Sequence, residues 1–121
     1  MTTQEVANRY MELEKAGNWQ AIQAELYSDD CESIEPGHAA AMGMQQHVKG
    51  KQAIVEKGAA FNSMIEEMHG GYCSEPVVGG NFFSVAMGMD CTMKGAGRMN
   101  MNEICVFEVK DGKIVKEQFF F

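Results

Sequence analysis

Hydrophobic residues in the first part of the chain recur with the spacing of an α-helix. Val6, Tyr10 and Leu13 fall on one helix face, which is the face expected to pack against a core. Thr2 and Glu5 stand three residues apart in the order of a capping box, which marks a helix start. The pattern predicts an amphipathic first helix that presents Tyr10 to the interior.

Two further helices are predicted in the first half of the chain. Asn18 can cap a short helix over residues 19–26, because its side chain can accept a hydrogen bond from a free backbone N–H group. A third helix is predicted over residues 51–68, with apolar side chains along one side. The glycine pair at 70–71 is expected to end it.

The segments between these helices carry weaker patterns. Residues 27–35 indicate a turn that leads into a short strand, and Pro36 would stop that strand. Residues 37–50 show no clear period and are predicted to form a loop or a loosely formed helical turn. Such a long segment can act as a cover over a neighbouring site.

The hydrophobic period changes to two in the second half of the chain. The predicted strands cover residues 72–78, 82–94, 98–110 and 113–121. Glycine-containing turns separate them, and Asp111-Gly112 is the strongest tight-turn signal. Alternation places the odd-numbered residues from Phe83 to Met93 on one face of the second of these strands.

Helices followed by a run of antiparallel strands indicate an α+β domain. Long twisted strands curl, so three N-terminal helices packed on the concave face of a curved antiparallel sheet would give a cone-shaped domain that encloses a pocket. The opposite face still carries the apolar side chains of Ile104 and Val106. Because such side chains need covering, a homodimer through the sheet is predicted.

Length and charge restrict the class of protein and its partners. A chain of 121 residues suits a single domain over residues 1–121. The formal net charge of −7 makes nucleic acid and anionic membrane surfaces poor partners. No apolar run is long enough for a membrane span, and no basic stretch followed by an apolar run opens the sequence. We therefore expect a cytoplasmic protein.

The sequence carries few signals for a cofactor or a metal. The four cysteines show no paired spacing, so reduced thiols are expected and neither a zinc site nor a thiol nucleophile is predicted. Glu35, His38 and His47 lie at no established metal-ligand spacing. Glycine-rich nucleotide loops and the nucleophile-elbow motif are absent. No cofactor is predicted.

Two segments of the chain carry a family resemblance. The segments are RYMELEKAGNWQAIQAELYSDDCESIEP (9–36) and VFEVKDGKIVKEQFF (106–120). With the order of the predicted elements, they resemble the nuclear transport factor 2-like fold, and within it SnoaL-like and ketosteroid isomerase-related proteins. The resemblance covers essentially the whole chain. It implies the cone-shaped architecture, whereas activity is a separate question because this fold hosts many functions.

The resemblance also implies candidate site residues. Arg9-Tyr10 matches an "RY" pair whose tyrosine donates a hydrogen bond to the substrate oxygen in ketosteroid isomerase. Glu35, before Pro36, stands at the position of the catalytic carboxylate. The third position, a carboxylic acid on a late strand, falls on either Glu103 or Cys105. Glutamate instead of aspartate at the base position, and a longer loop after it, argue against a steroid as the substrate.

These residues predict a cofactor-independent isomerase or lyase that moves a proton next to a carbonyl group. Glu35 would be the base, Tyr10 the oxyanion donor and Glu103 a protonated second donor to a small apolar ligand. The side chains predicted to line the pocket are Trp19, Phe61, Met87, Met89, Met101, Cys105 and Phe107. The alternative is a non-catalytic domain that binds a small molecule or assembles with partners, in which Tyr10 is a core residue, Glu35 a solvated turn residue and Glu103 an edge or interface charge.

Overall fold

The chain folds into three α-helices, one 3-10 helix and seven strands, described by a computed structural model over residues 1–121. The helices are α1 (Thr3–Lys15), α2 (Trp19–Leu26) and α3 (Lys51–Ser63), and the 3-10 helix covers Gly37–Met42. The strands are β1 (Tyr27–Ile34), β2 (His47–Lys49), β3 (Ile65–Cys73), β4 (Val77–Gly79), β5 (Phe82–Met93), β6 (Gly97–Lys110) and β7 (Lys113–Phe120).

Local signals determine where the first two helices begin and end. The Thr2 hydroxyl accepts a hydrogen bond from the Glu5 N–H group at 3.1 Å, and the Glu5 carboxylate accepts one from the Thr2 N–H group at 2.9 Å. After α1, Gly17 adopts a positive φ of 70°, which glycine reaches without steric cost. The Asn18 side chain then accepts from the Ala21 N–H group at 3.2 Å. The capping box and both helices are confirmed.

The strands form a single mixed sheet in the order β2-β1-β7-β6-β5-β3, with β4 paired to the side of β5. All pairs are antiparallel except β1 and β7, which run parallel. The register shifts between β1 and β7, between β3 and β5, and between β6 and β7. Because such bulges bend strands and increase their twist, the sheet is curved and its two edges do not meet.

The helices pack on one face of this sheet. Phe83 faces Phe107 and Val85 faces Cys105 across β5 and β6, and these residues form one buried cluster with Tyr10 of α1. The opposite face keeps large apolar side chains in contact with solvent, namely Phe82 (48% exposed), Ile104 (46%) and Phe120 (48%). The predicted α+β class, with helices on one face of a curved sheet, is confirmed.

Four predicted elements differ from the structure. The turn predicted at the start of residues 27–35 is part of β1, and the strand predicted over residues 72–78 is divided between the end of β3 and β4. The helix α3 ends at Ser63 and not at Met68, because residues 65–73 instead pair with β5 as β3. The glycine pair lies inside β3, where a Cβ atom at Gly71 would come within 2.8 Å of the carbonyl oxygen of Gly88. The predicted loop at 37–50 contains the 3-10 helix and β2, which pairs with β1.

None of the helices combines the length and the apolar character that crossing a membrane requires.

Candidate active site

The carboxylate of Glu35 lies inside the protein at the end of β1. Strand alternation turns Cys31, Ser33 and Glu35 to the helix-covered face, and Glu35 is only 5% exposed. Its Oε1 accepts a hydrogen bond from the Lys57 ammonium group at 2.7 Å. Its Oε2 is buried and has no hydrogen-bond partner in the protein. One half of the carboxylate is therefore held and the other half is free to accept.

Lys57 reaches this carboxylate from α3. It lies one helical turn after Ile54, which is 1% exposed, so it shares the buried face of the helix. Its ammonium group also donates to the Ser33 hydroxyl at 2.9 Å and lies 5.3 Å from the centre of the Phe119 ring. The positive charge offsets the cost of burying the Glu35 carboxylate.

A second carboxyl group continues this network on β7. Glu117 is 6% exposed and accepts a hydrogen bond from the Ser33 hydroxyl at 2.6 Å. Its other oxygen accepts from the Tyr27 hydroxyl. Burial raises the pKa of Glu117 above its usual value, and the two hydroxyl donors oppose that rise. The result is a continuous polar chain through Tyr27, Glu117, Ser33, Lys57 and Glu35.

Glu103 lies on β6 on the same face, but no lysine contacts it. Burial raises its pKa from 4.5 to about 7, and the charge of Glu35 adds to the rise. Its side-chain contact is a weak one, with the Cys105 thiol at 3.6 Å. Glu103 therefore gains and loses its proton in the neutral range. A general acid or base is most effective when its pKa lies near the working pH.

Tyr10 projects from α1 into the aromatic part of the core. Its ring centre lies 5.6 Å from that of Phe83 and 4.9 Å from that of Phe107. Burial raises the Tyr10 pKa well above its usual value, and the charge of Glu117 contributes to the rise. The hydroxyl therefore stays protonated in neutral solution and has a proton to donate.

The other residues predicted to line a pocket divide into two groups. Met87 and Met89 are half-buried and lie across from Glu103 and Met101 on the helix-covered face, while Cys105 and Phe107 are buried. Trp19 instead lines a cleft of about 530 Å³ between α2 and α3, and Phe61 is half-buried on α3.

Two surface clefts lie away from the carboxylates. The cleft lined by Trp19 is one of them, and a second of about 560 Å³ lies at the amino terminus beside Asp111 and Gly112. Glu35, Lys57 and Glu103 border neither cleft. The candidate site is thus an internal cluster beside the half-buried methionines.

The other polar side chains considered as metal ligands or nucleophiles lie apart from one another. His47 pairs with Glu32 at 3.2 Å, and the His38 ring packs against Phe121 with 5.2 Å between centres. No group of three or more His, Cys, Asp or Glu side chains converges as a metal site. All four cysteines are free thiols. Burial raises the pKa of Cys31 to about 12 and that of Cys73 to about 11, which leaves both without nucleophilic thiolate at neutral pH.

The site predicted from the sequence did not include Lys57, Ser33, Tyr27 or Glu117. A period-two interpretation of β1 would have placed Ser33 beside Glu35. Glu117 could have been noticed as a charge near the apolar residues of the last strand. Lys57 gives no local signal beyond its place one turn after Ile54, because its partner is 22 residues away in the chain.

Comparison with known proteins agrees with this architecture. The sequence model of the SnoaL-like domain matches residues 1–121. A candidate SnoaL-like polyketide cyclase from Mesorhizobium loti is 32% identical, with 100% of both chains covered and a TM-score of 0.91. An NTF2-like protein of unknown function from Burkholderia pseudomallei is 14% identical, with 98% of this chain and 89% of that chain covered and a TM-score of 0.78.

A candidate polyketide cyclase from Sinorhizobium meliloti is 17% identical, with 96% of this chain and 94% of that chain covered and a TM-score of 0.68. The last two similarities concern the fold alone. No curated protein matches the sequence significantly.

Proposed function

The chain belongs to the SnoaL-like domain family, and we propose that it is a cofactor-independent isomerase or lyase that moves a proton next to a carbonyl group in an apolar small molecule. The observation that carries the proposal is the state of the Glu35 carboxylate. Lys57 holds its Oε1, while its buried Oε2 accepts no hydrogen bond from the protein. A buried acceptor without a partner is costly, and a base needs such a free acceptor.

The proposed reaction needs no external reagent. Oε2 of Glu35 removes a proton from the carbon next to the carbonyl, and the electrons of that C–H bond form a carbon–carbon double bond. The carbonyl oxygen takes the displaced electron pair and is stabilised by the Tyr10 hydroxyl and the protonated Glu103. Glu35 then returns its proton to another carbon. In a lyase reaction the enolate instead re-forms the carbonyl group, its electron pair makes a double bond between the neighbouring carbon and the next one, and the leaving group departs from that next carbon with the proton from Glu35.

The surroundings favour an apolar ligand bound in a pocket on the helix-covered face. Met87, Met89 and Met101 give that face a flexible apolar surface, and methionine adapts to irregular ligands. Bond formation next to a carbonyl, which a polyketide cyclase performs, also begins with loss of the neighbouring proton. The proposed chemistry therefore suits a family in which relatives are assigned as polyketide cyclases.

The test measures proton removal directly. Cyclic ketones such as 2-tetralone are incubated with the protein in deuterium oxide, and exchange of the protons next to the carbonyl is followed by NMR. We expect Glu35→Gln to slow exchange roughly 100-fold, in line with the usual contribution of a general base, while 2-tetralone affinity stays the same. Glu32→Gln is the matched control, because Glu32 is on the same strand and pairs with His47.

Two outcomes would contradict the proposal. Equal exchange by the Glu35→Gln variant would reject Glu35 as the base. Binding of 2-tetralone without any exchange, over a panel of such ketones, would favour the alternative of a non-catalytic binding domain.

We also propose that the protein is a cytoplasmic homodimer formed through the exposed sheet face. Ile104 lies opposite Ala86 on one side and Phe120 on the other, so an apolar row crosses three strands. A second copy of the same face would cover it. Ile104→Lys should shift sedimentation to a monomer, and a monomeric wild-type protein would contradict the proposal. The proposed cytoplasmic location is supported by the four free thiols, because thiols stay reduced in a reducing compartment.

A further inference from the structure

The two carboxyl groups assigned to the chemistry differ in their contacts with one lysine. Lys57 donates to Oε1 of Glu35 at 2.7 Å, whereas the hydrogen-bond partner of the Glu103 side chain is the Cys105 thiol, at 3.6 Å. Both side chains belong to the helix-covered face, and the charge of Glu35 acts on Glu103. A pair of acids with unequal environments can divide the roles of base and acid.

The position of Lys57 is itself fixed from two sides. Besides Glu35 it donates to the Ser33 hydroxyl at 2.9 Å, and that hydroxyl donates onward to Glu117 at 2.6 Å. The ammonium group is thereby held between β1 and the buried end of β7. A lysine held in this way also restricts the Glu35 carboxylate, because the oxygen that it binds is no longer available to a ligand.

We propose that Lys57 is the positioning residue of this site: it keeps Glu35 charged with Oε2 as the accepting oxygen, and it leaves Glu103 as the acid. The proposal rests on the proposed function and goes one step further, since it explains why two glutamates can perform opposite tasks. During turnover Glu35 takes the proton from carbon, and Glu103 supplies a proton to the carbonyl oxygen. When the product forms, Glu35 gives its proton to carbon and Glu103 takes its proton back from the oxygen. The reaction therefore consumes no further reagent.

The charged and titratable groups that act on Glu103 come from four elements. Lys57 approaches from α3, Glu117 from β7 and Cys105 from β6, and each of them acts on Glu103 together with Glu35 from the end of β1. On α1, burial and then the charge of Glu14 raise the pKa of Tyr10, and Glu117 adds to the rise. Lys57 is the cation in this set. Its removal should therefore change the protonation of the cluster more than removal of any neighbouring lysine.

The first experiment needs no substrate. Protein labelled with ¹³C at the glutamate carboxyl carbons is titrated by NMR, and signals are assigned with Glu35→Gln and Glu103→Gln. In Lys57→Met we expect the Glu35 signal to report proton uptake at least one pH unit higher than in the wild type, because the buried charge has lost its partner. Lys57→Arg should restore the wild-type titration, since arginine keeps the charge.

The control is Lys51→Met, which removes a lysine from the same helix. Lys51 donates to the backbone carbonyl of Ala24 at 2.8 Å and should not change the titration of Glu35. If Lys57→Met does not fold, Lys57→Gln keeps a donor for Oε1 without the charge, and the same shift is expected. An unchanged Glu35 titration in the folded uncharged variant would overturn the inference.

The second experiment follows exchange of the 2-tetralone protons over a range of pH. The acidic limb of the rate profile should move to higher pH in Lys57→Met by the amount seen in the NMR titration. At pH values below the limb, the rate at a given pH should fall about tenfold for each pH unit of that shift. An unchanged profile would overturn the positioning role. If the wild-type protein exchanges no ketone protons, the proposed function fails, and the titration alone still decides whether Lys57 sets the charge of Glu35.

Discussion

Replacement of Glu103 by glutamine tests the electrostatics of the site through the stability of the protein. The Glu103 carboxyl has a pKa of 4.5 as an exposed group and of about 7 in the folded protein. Between these values the folded protein keeps a proton that the unfolded chain has released. The unfolded state then binds fewer protons, so stability decreases as the pH rises from 4.5 to about 7.

The magnitude follows from the same two values. At about 1.36 kcal/mol for each pKa unit, the difference between 4.5 and about 7 amounts to about 3 kcal/mol. This is an upper value, because Glu103 is only partly buried and solvent screens part of the interaction. Glutamine cannot ionise, so Glu103→Gln should be about as stable as the wild type at pH 4 and up to about 3 kcal/mol more stable at pH 7.5.

The assay is urea unfolding at several pH values, with Trp19, the single tryptophan of the chain, as the fluorescent probe. Other carboxyl groups titrate in the same range, so the quantity compared is the stability difference between variant and wild type at each pH. Glu108→Gln is the control, since Glu108 is on the same strand and lies on the opposite face across from Phe82. Parallel stability curves for Glu103→Gln and the wild type would refute the reasoning.

Two further predictions concern the scaffold. Gly88→Ala should destabilise the protein by about 1–3 kcal/mol, because the added Cβ would overlap the Tyr72 ring and lie 2.8 Å from the Asn102 side chain; in a Tyr72→Ala background the cost measured by urea unfolding should largely disappear. Thr2→Ala should lower the free energy of unfolding by about 1 kcal/mol because it removes the capping box, and Thr3→Ala, just inside α1, should cost less by the same measurement.

The parts of the fold that were predicted correctly depend on neighbours in the chain. The capping box joins Thr2 and Glu5, three residues apart, and the β6–β7 turn depends on Asp111 and Gly112, whose φ angles are both positive. The end of α3 was wrong because residues 65–68 continue a helical period. Their strand conformation comes from pairing with β5, in which Met68 lies opposite Cys91, and this pairing has no local signal.

The same distinction holds for the candidate site. The family resemblance selected Glu35, and either Glu103 or Cys105, as site residues, and strand alternation places these side chains on the helix-covered face. The contacts that give them their chemical character are not local, since Ser33 and Glu117 are 84 residues apart. Strands β1 and β7 are far apart in the chain and become neighbours only through their parallel pairing inside the sheet. Lys57 and Glu117 therefore reach the site through contacts between distant parts of the chain, which the sequence pattern does not show.

The choice between Glu103 and Cys105 for the third position can be argued from their environments. The two residues are on the same face of β6, with the thiol and the carboxylate 3.6 Å apart. Burial, and then the charge of Glu103, raise the pKa of the Cys105 thiol far above its usual value, so it keeps its proton throughout the neutral range. A thiol is also a weak donor. The Glu103 carboxyl, with its pKa of about 7, can both donate to a carbonyl oxygen and release its proton. Within the proposed mechanism the carboxyl group is therefore the better donor. The hydrogen bond from the Cys105 thiol lowers the Glu103 pKa, but the rise caused by burial is larger.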